Sequence, residues 1–129
     1  MNINVAQRDL QDRLAFLAKG IAIAGVDVGE SYGSPEGRKV YSALYNELVT
    51  GKGFAPRAAL LARSRGGLML YNWAAENPDK VRCIVGIYPV CDLRSYPGLE
   101  RAAPAYGFTA TPTDAVNGCG VFIVSGGCR

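Results

Sequence analysis

The sequence contains no histidine. That absence removes the side chain most often used as a general base near neutral pH, and also the commonest metal ligand. It also lacks any apolar run approaching the roughly twenty residues needed to span a bilayer. Its first residues, Met1-Asn2-Ile3-Asn4-Val5-Ala6-Gln7-Arg8-Asp9, include no apolar stretch of the secretory-signal kind. The expectation is a cytoplasmic protein with no membrane partner. Charge of one sign is not in excess: the net charge is +3, and arginines and lysines are scattered among acids. A nucleic-acid partner is not expected, because such binders cluster their basic residues in a stripe. Cysteine is present at 83, 91, 119 and 128, but without C-x-x-C spacing. With no histidine to complete a ligand set, no metal site is expected. Cys119 and Cys128 flank one apolar stretch that, if extended, holds them roughly 25–30 Å apart, beyond disulfide reach. Reduced thiols are expected. No glycine-rich dinucleotide fingerprint and no P-loop occur, so no cofactor is implied.

What is present is a chain of 129 residues, 49% apolar and 19% charged, the balance of one globular domain covering 1–129. A helix is expected from Val5 to Lys19, with Leu10, Leu14 and Leu17 at helical spacing, Asn4 as cap and Gly20 as stop. Ile21–Val28 is an apolar run between glycines and reads as a strand buried on both faces. Ser34-Pro35-Glu36 is a helix start, followed by a Val40, Leu44, Leu48 stripe with Tyr41 and Tyr45 beside it. Ala58–Ala62 reads as a strand, Gly66–Asn77 as a helix with Leu68, Tyr71 and Ala75 on one face, Val81–Tyr88 as a strand and Val121–Val124 as a last short one. From about residue 101 the chain reads as loosely organised. The alternation predicts an α/β fold, a small mainly parallel sheet of about four strands flanked by helices. Ligands of such sheets bind beyond the carboxyl ends of the strands, which singles out the loops at 29–33, 63–67 and 89–98.

The middle loop carries the chemistry. Arg63-Ser64-Arg65-Gly66-Gly67 falls where a strand ends and a helix begins, the context in which a serine is held on a sharp turn with its hydroxyl exposed. Small residues, Ala62 and Gly66, flank it, so the G-x-S-x-G pattern of a nucleophile elbow appears with alanine first. Ser64 is the candidate nucleophile, and the backbone N–H of Arg65 at the head of the helix is a candidate oxyanion donor. The plainer alternative is a serine that caps the following helix. Asp92 is a weak candidate acid or base. Arg63, Asp27 and Glu30 are candidate substrate contacts, although such arginines commonly pair with carboxylates and such aspartates commonly shape turns. Trp73 and Tyr71 read as core.

Several motifs then fall in order: Gly25-Val26-Asp27-Val28, Gly33-Ser34-Pro35, Ser64-Arg65-Gly66-Gly67-Leu68, Tyr71-Asn72-Trp73-Ala74-Ala75, Asn77-Pro78-Asp79-Lys80-Val81 and Pro89-Val90-Cys91-Asp92. Over roughly Leu14 to Gly98 the chain resembles bacterial α/β-hydrolases of the esterase or dienelactone-hydrolase-like group. The resemblance implies a hydrolase of small esters with Ser64 as nucleophile. It departs where the acid loop should follow Val121–Val124: Ser125-Gly126-Gly127-Cys128-Arg129 holds no carboxylate, and the histidine is missing. The early strands and the loop giving a second oxyanion donor have no counterpart after Met1. The resemblance is thus to an internal fragment, truncated at both ends.

Two functional readings follow. One is an esterase-like serine hydrolase, slowed because serine without a base is a poor nucleophile. The other is a non-catalytic, self-associating remnant in which Ser64 only caps a helix. In the sheet order that the resemblance implies, Ile21–Val28 does not neighbour Ala58–Ala62. An open slot and an uncovered apolar face are therefore expected, and with them a homo-oligomer, a dimer or higher.

Overall fold

The computed structural model describes residues 5–107. Helix α1 runs over Val5–Ala18 and α2 over Pro35–Asn46, continuing through one π-helical turn at Glu47–Gly51. Strand β1, Ala58–Arg63, leads into α3, Gly66–Glu76; a 3-10 turn at Pro78–Lys80 then leads into β2, Val81–Ile87. Helix α4 spans Leu99–Tyr106. The architecture is mixed α/β: β1 and β2 pair in parallel, with Leu60 opposite Ile84 and Ala62 opposite Gly86, and helices flank them. Joining parallel neighbours requires a crossover, and α3 is that crossover.

Ile21–Val28 is not a strand. Among the described residues it joins no ladder, and Ile21 and Ile23 stand 47% and 51% exposed. Its backbone would need a neighbour with free donors and acceptors, and β1 and β2 pair only with each other. Val121–Val124 lies outside the described residues, so the described sheet has two strands where about four were expected. Helix α4 falls where the sequence reads as loose. Its Leu99, Ala102, Ala103 and Tyr106 stand at helical spacing, but Pro104 and a length of only eight residues argue against a helix in the sequence, and the burial of Ala102 and Ala103 shows what holds it.

The core forms around α3. Leu68, Met69, Leu70 and Trp73 are buried, and Leu68 meets Leu93 and Ala102, with Tyr32, Val90, Tyr96, Leu99 and Tyr106 packed around them. Ala75, expected on the inner face, is exposed, because burial concentrates in the half of α3 that follows the elbow. Helix α2 begins as its sequence dictates: Ser34 Oγ accepts from the Gly37 N–H at 3.5 Å, and Pro35 occupies the first turn. Of its expected stripe Leu44 and Leu48 are half-buried, while Val40 is 40% exposed. Ser42 accepts from Trp73 Nε1 at 3.0 Å, Tyr45 lies 5.8 Å from the Trp73 ring, and Arg38 pairs with Glu76 at 2.7 Å.

Candidate functional site

Strand β1 ends at Arg63, and the next residue, Ser64, adopts φ +49° before α3 begins. A left-handed conformation costs a non-glycine residue roughly 1–2 kcal/mol, so the surroundings must hold it. They do so through the backbone. Ser64 N–H donates to Ile87 O at 3.1 Å, and Ser64 O accepts from Val90 N–H at 2.8 Å and from Gly67 N–H at 3.0 Å. The turn is thus pinned to the end of β2 and to the loop after it. A Cβ on Gly67 would stand 2.4 Å from Val90 O, so that close approach demands glycine. Gly66, which the sequence pattern singles out, faces open space; the small residues that matter are Ala62, fully buried, and Gly67.

The Ser64 side chain is exposed, and among the described residues its hydroxyl has no hydrogen-bond partner. It does not cap α3: the residue in the cap position is Arg65, and no side chain caps that helix end. The Arg65 N–H donates to no backbone carbonyl among the described residues, and it stands at the positive end of α3. The candidate nucleophile and the candidate oxyanion donor are therefore adjacent, and among the described residues neither is occupied by another hydrogen bond. Among the described residues no base is in contact with the serine.

The three loops chosen from the sequence do meet. Arg65 pairs with Glu30, and the Tyr96 hydroxyl donates to Glu30 at 3.5 Å. The Tyr96 hydroxyl and, next, the charge of Glu30 hold the Arg65 guanidinium above its ordinary pKa. Loop 29–33 is fastened to α3 by Gly33, at φ +76°, whose missing Cβ would sit 2.4 Å from Leu68 O. The Tyr106 hydroxyl donates to Tyr32 O at 2.9 Å, and the Tyr32 and Tyr96 rings lie 6.4 Å apart, edge to face.

The carboxylates are engaged elsewhere. Asp92 accepts from Arg94 Nη2 at 2.7 Å and from the Arg94 N–H at 2.8 Å, and these bonds to Arg94 hold its pKa below the usual carboxylate value. A carboxylate so stabilised is a weaker base than a free one. Asp27 accepts from Gly29 N–H at 2.9 Å and shapes its own turn. Arg63 donates to the Tyr88 hydroxyl at 3.0 Å and lies over that ring. Cys91 is a free thiol, and burial pushes its pKa up, against a nucleophilic role for it. Trp73, 2% exposed, belongs to the core. The residue that sequence reasoning missed is Tyr96, the polar link between loops 29–33 and 89–98; no motif marks it.

No helix among the described residues is long and apolar enough to cross a membrane. Comparisons with protein-family models, with curated proteins and with solved structures find no match.

Proposed function

We propose that this chain carries a serine-hydrolase-type site for small carboxylic esters, with Ser64 as nucleophile and the Arg65 N–H as an oxyanion donor. The observation that carries the reading is the strained, exposed Ser64 at φ +49° between β1 and α3, since strain of this kind collects at functional turns. The architecture that goes with it is a partial α/β-hydrolase fold built around the parallel β1–β2 pair. In the chemical step Ser64 Oγ adds to the ester carbonyl, its proton passes to solvent, and the alcohol departs protonated to leave an acyl-serine. Water then releases the acid. The oxyanion gains the Arg65 N–H and the field of the α3 terminus. Proton removal is the weak step: the chain has no histidine, while Asp92, Glu30 and Asp27 are held by Arg94, Arg65 and Gly29. Turnover is therefore slow, and its rate rises with hydroxide.

One observation favours a second reading, a non-catalytic remnant: Ser64 Oγ has no hydrogen-bonded base. A fluorophosphonate probe separates the two. Slow labelling at Ser64, faster at higher pH and lost in Ser64→Ala, supports the hydrolase-type site. Labelling at another residue removes the assignment, and a complete failure to label favours the remnant.

A further inference from the structure

Among the described residues two apolar surfaces lack a cover, and their shapes match. One is a face of the β1–β2 sheet. Alternation along the strands turns Leu60, Ala62 and Ile84 to the side of α3, where Ala62 is fully buried. The opposite face presents Leu61, Val85 and Ile87, which are 56%, 52% and 38% exposed, with Cys83 beside them. Parallel strands ordinarily have both faces covered by helices.

The other surface is α1. Leu10, Leu14 and Leu17 form one stripe along it, each more than half exposed, while Asp12 lies on the far side. No described element packs extensively against α1, and everything from Leu10 to Gly20 is exposed. A helix of this length is marginal in water without a surface to lie on.

We propose that the chain forms a two-fold dimer by exchanging α1, each copy laying its Leu10, Leu14 and Leu17 stripe across the Leu61, Val85 and Ile87 face of the other. The dimensions agree. The leucine stripe is about 10 Å long at the helical rise, and the face from Cys83 to Ile87 is about 13 Å long at the strand rise. Two strands about 5 Å apart offer the width of one helix. The segment 19–34 carries no helix or strand, and it can span up to about 50 Å, ample for the reach. A second copy is the occupant because α1 stands clear of its own sheet and one symmetry operation covers both surfaces in both copies. Two such contacts bring the pair toward the lower end of the roughly 1,200–2,000 Å² of a stable interface.

The test is sedimentation equilibrium on the whole chain at micromolar concentration. The wild type is expected to be a dimer, and Leu14→Glu and Leu61→Glu are each expected to be folded monomers whose far-ultraviolet circular dichroism loses no more helix than α1 carries. Mixing the two variants restores one of the two contacts, so a heterodimer of intermediate affinity is expected. If either glutamate variant does not fold, Leu14→Ala, which keeps helix propensity, is expected to weaken dimerisation about tenfold or more. A monomeric wild type overturns the proposal, since α1 or the segment at 121–124 of the same chain then covers the face. A dimer that persists in Leu14→Glu, a failure of the mixed variants to associate, or an unchanged affinity in Leu14→Ala overturns it as well.

Discussion

The two faces of the β1–β2 sheet are built from the same kinds of residue and have opposite fates. On one, Leu60, Ala62 and Ile84 lie toward α3, whose own Leu68, Met69, Leu70 and Trp73 are buried. On the other, Leu61 and Val85, neighbours in register, stay about half exposed. Hydrophobicity alone does not bury a side chain; a second surface must be brought to it, and on one side only α3 does so. The elbow belongs to the well-packed side. The strain at Ser64 persists because Ile87, Val90 and Gly67 fix the turn through backbone hydrogen bonds and close approach. A well-packed scaffold carries the candidate nucleophile, while the opposite face is uncovered among the described residues.

That contrast should appear in denaturant unfolding. Trp73→Ala, on the packed side, is expected to cost about 3–5 kcal/mol through a large cavity and the lost bond to Ser42. A value near zero would mean that α2 and α3 do not share a core. Gly67→Ala forces a Cβ to within 2.4 Å of the Val90 carbonyl, and about 1–3 kcal/mol of destabilisation is expected. The same substitution at Gly66, which faces open space, should cost clearly less. Ser64→Gly relieves a left-handed serine and should raise stability by up to about 1 kcal/mol while abolishing probe labelling. A loss of stability there would mean that the serine side chain is itself a support. On the uncovered face, Val85→Thr should change the stability of the dilute monomer by no more than about 0.5 kcal/mol, any further effect falling on association.

The smallest effect concerns acid. The pairing with Arg94 lowers the pKa of Asp92 in the folded chain from its ordinary 3.8. A depressed carboxylate contributes stability that is present above the unfolded value and is lost as pH falls through the folded one. Asp92→Asn should therefore narrow the gap in stability between neutral pH and pH below 3.8, measured by urea titration. Because the group is exposed, the change should be slight.

Local physical chemistry, readable in the sequence, determined α1, the Ser34-Pro35 start of α2, both strands of the described sheet, α3 and the strand-to-helix position of Ser64. Each of these depends on caps, turn residues or periodicity within a few neighbours, so the chain specifies it in place. The absence of histidine was equally legible and limits what chemistry Ser64 can do. Only the tertiary structure decided the rest. Ile21–Val28 has a strand's composition, but a strand exists only with a partner, and the described residues offer none. Helix α4 sets Leu99, Ala102, Ala103 and Tyr106 at helical spacing but is only eight residues long and contains Pro104, and what holds it is Ala102 packed against Leu68 and Leu93. Gly67 rather than Gly66 proved the tight contact, because what a missing Cβ would meet depends on Val90, far along the chain. The candidate acids were nameable from sequence, but their partners were not: Glu30 with Arg65, and Asp92 with Arg94. Those pairings leave Ser64 without a base because distance and orientation, which sequence order does not encode, set which charges meet.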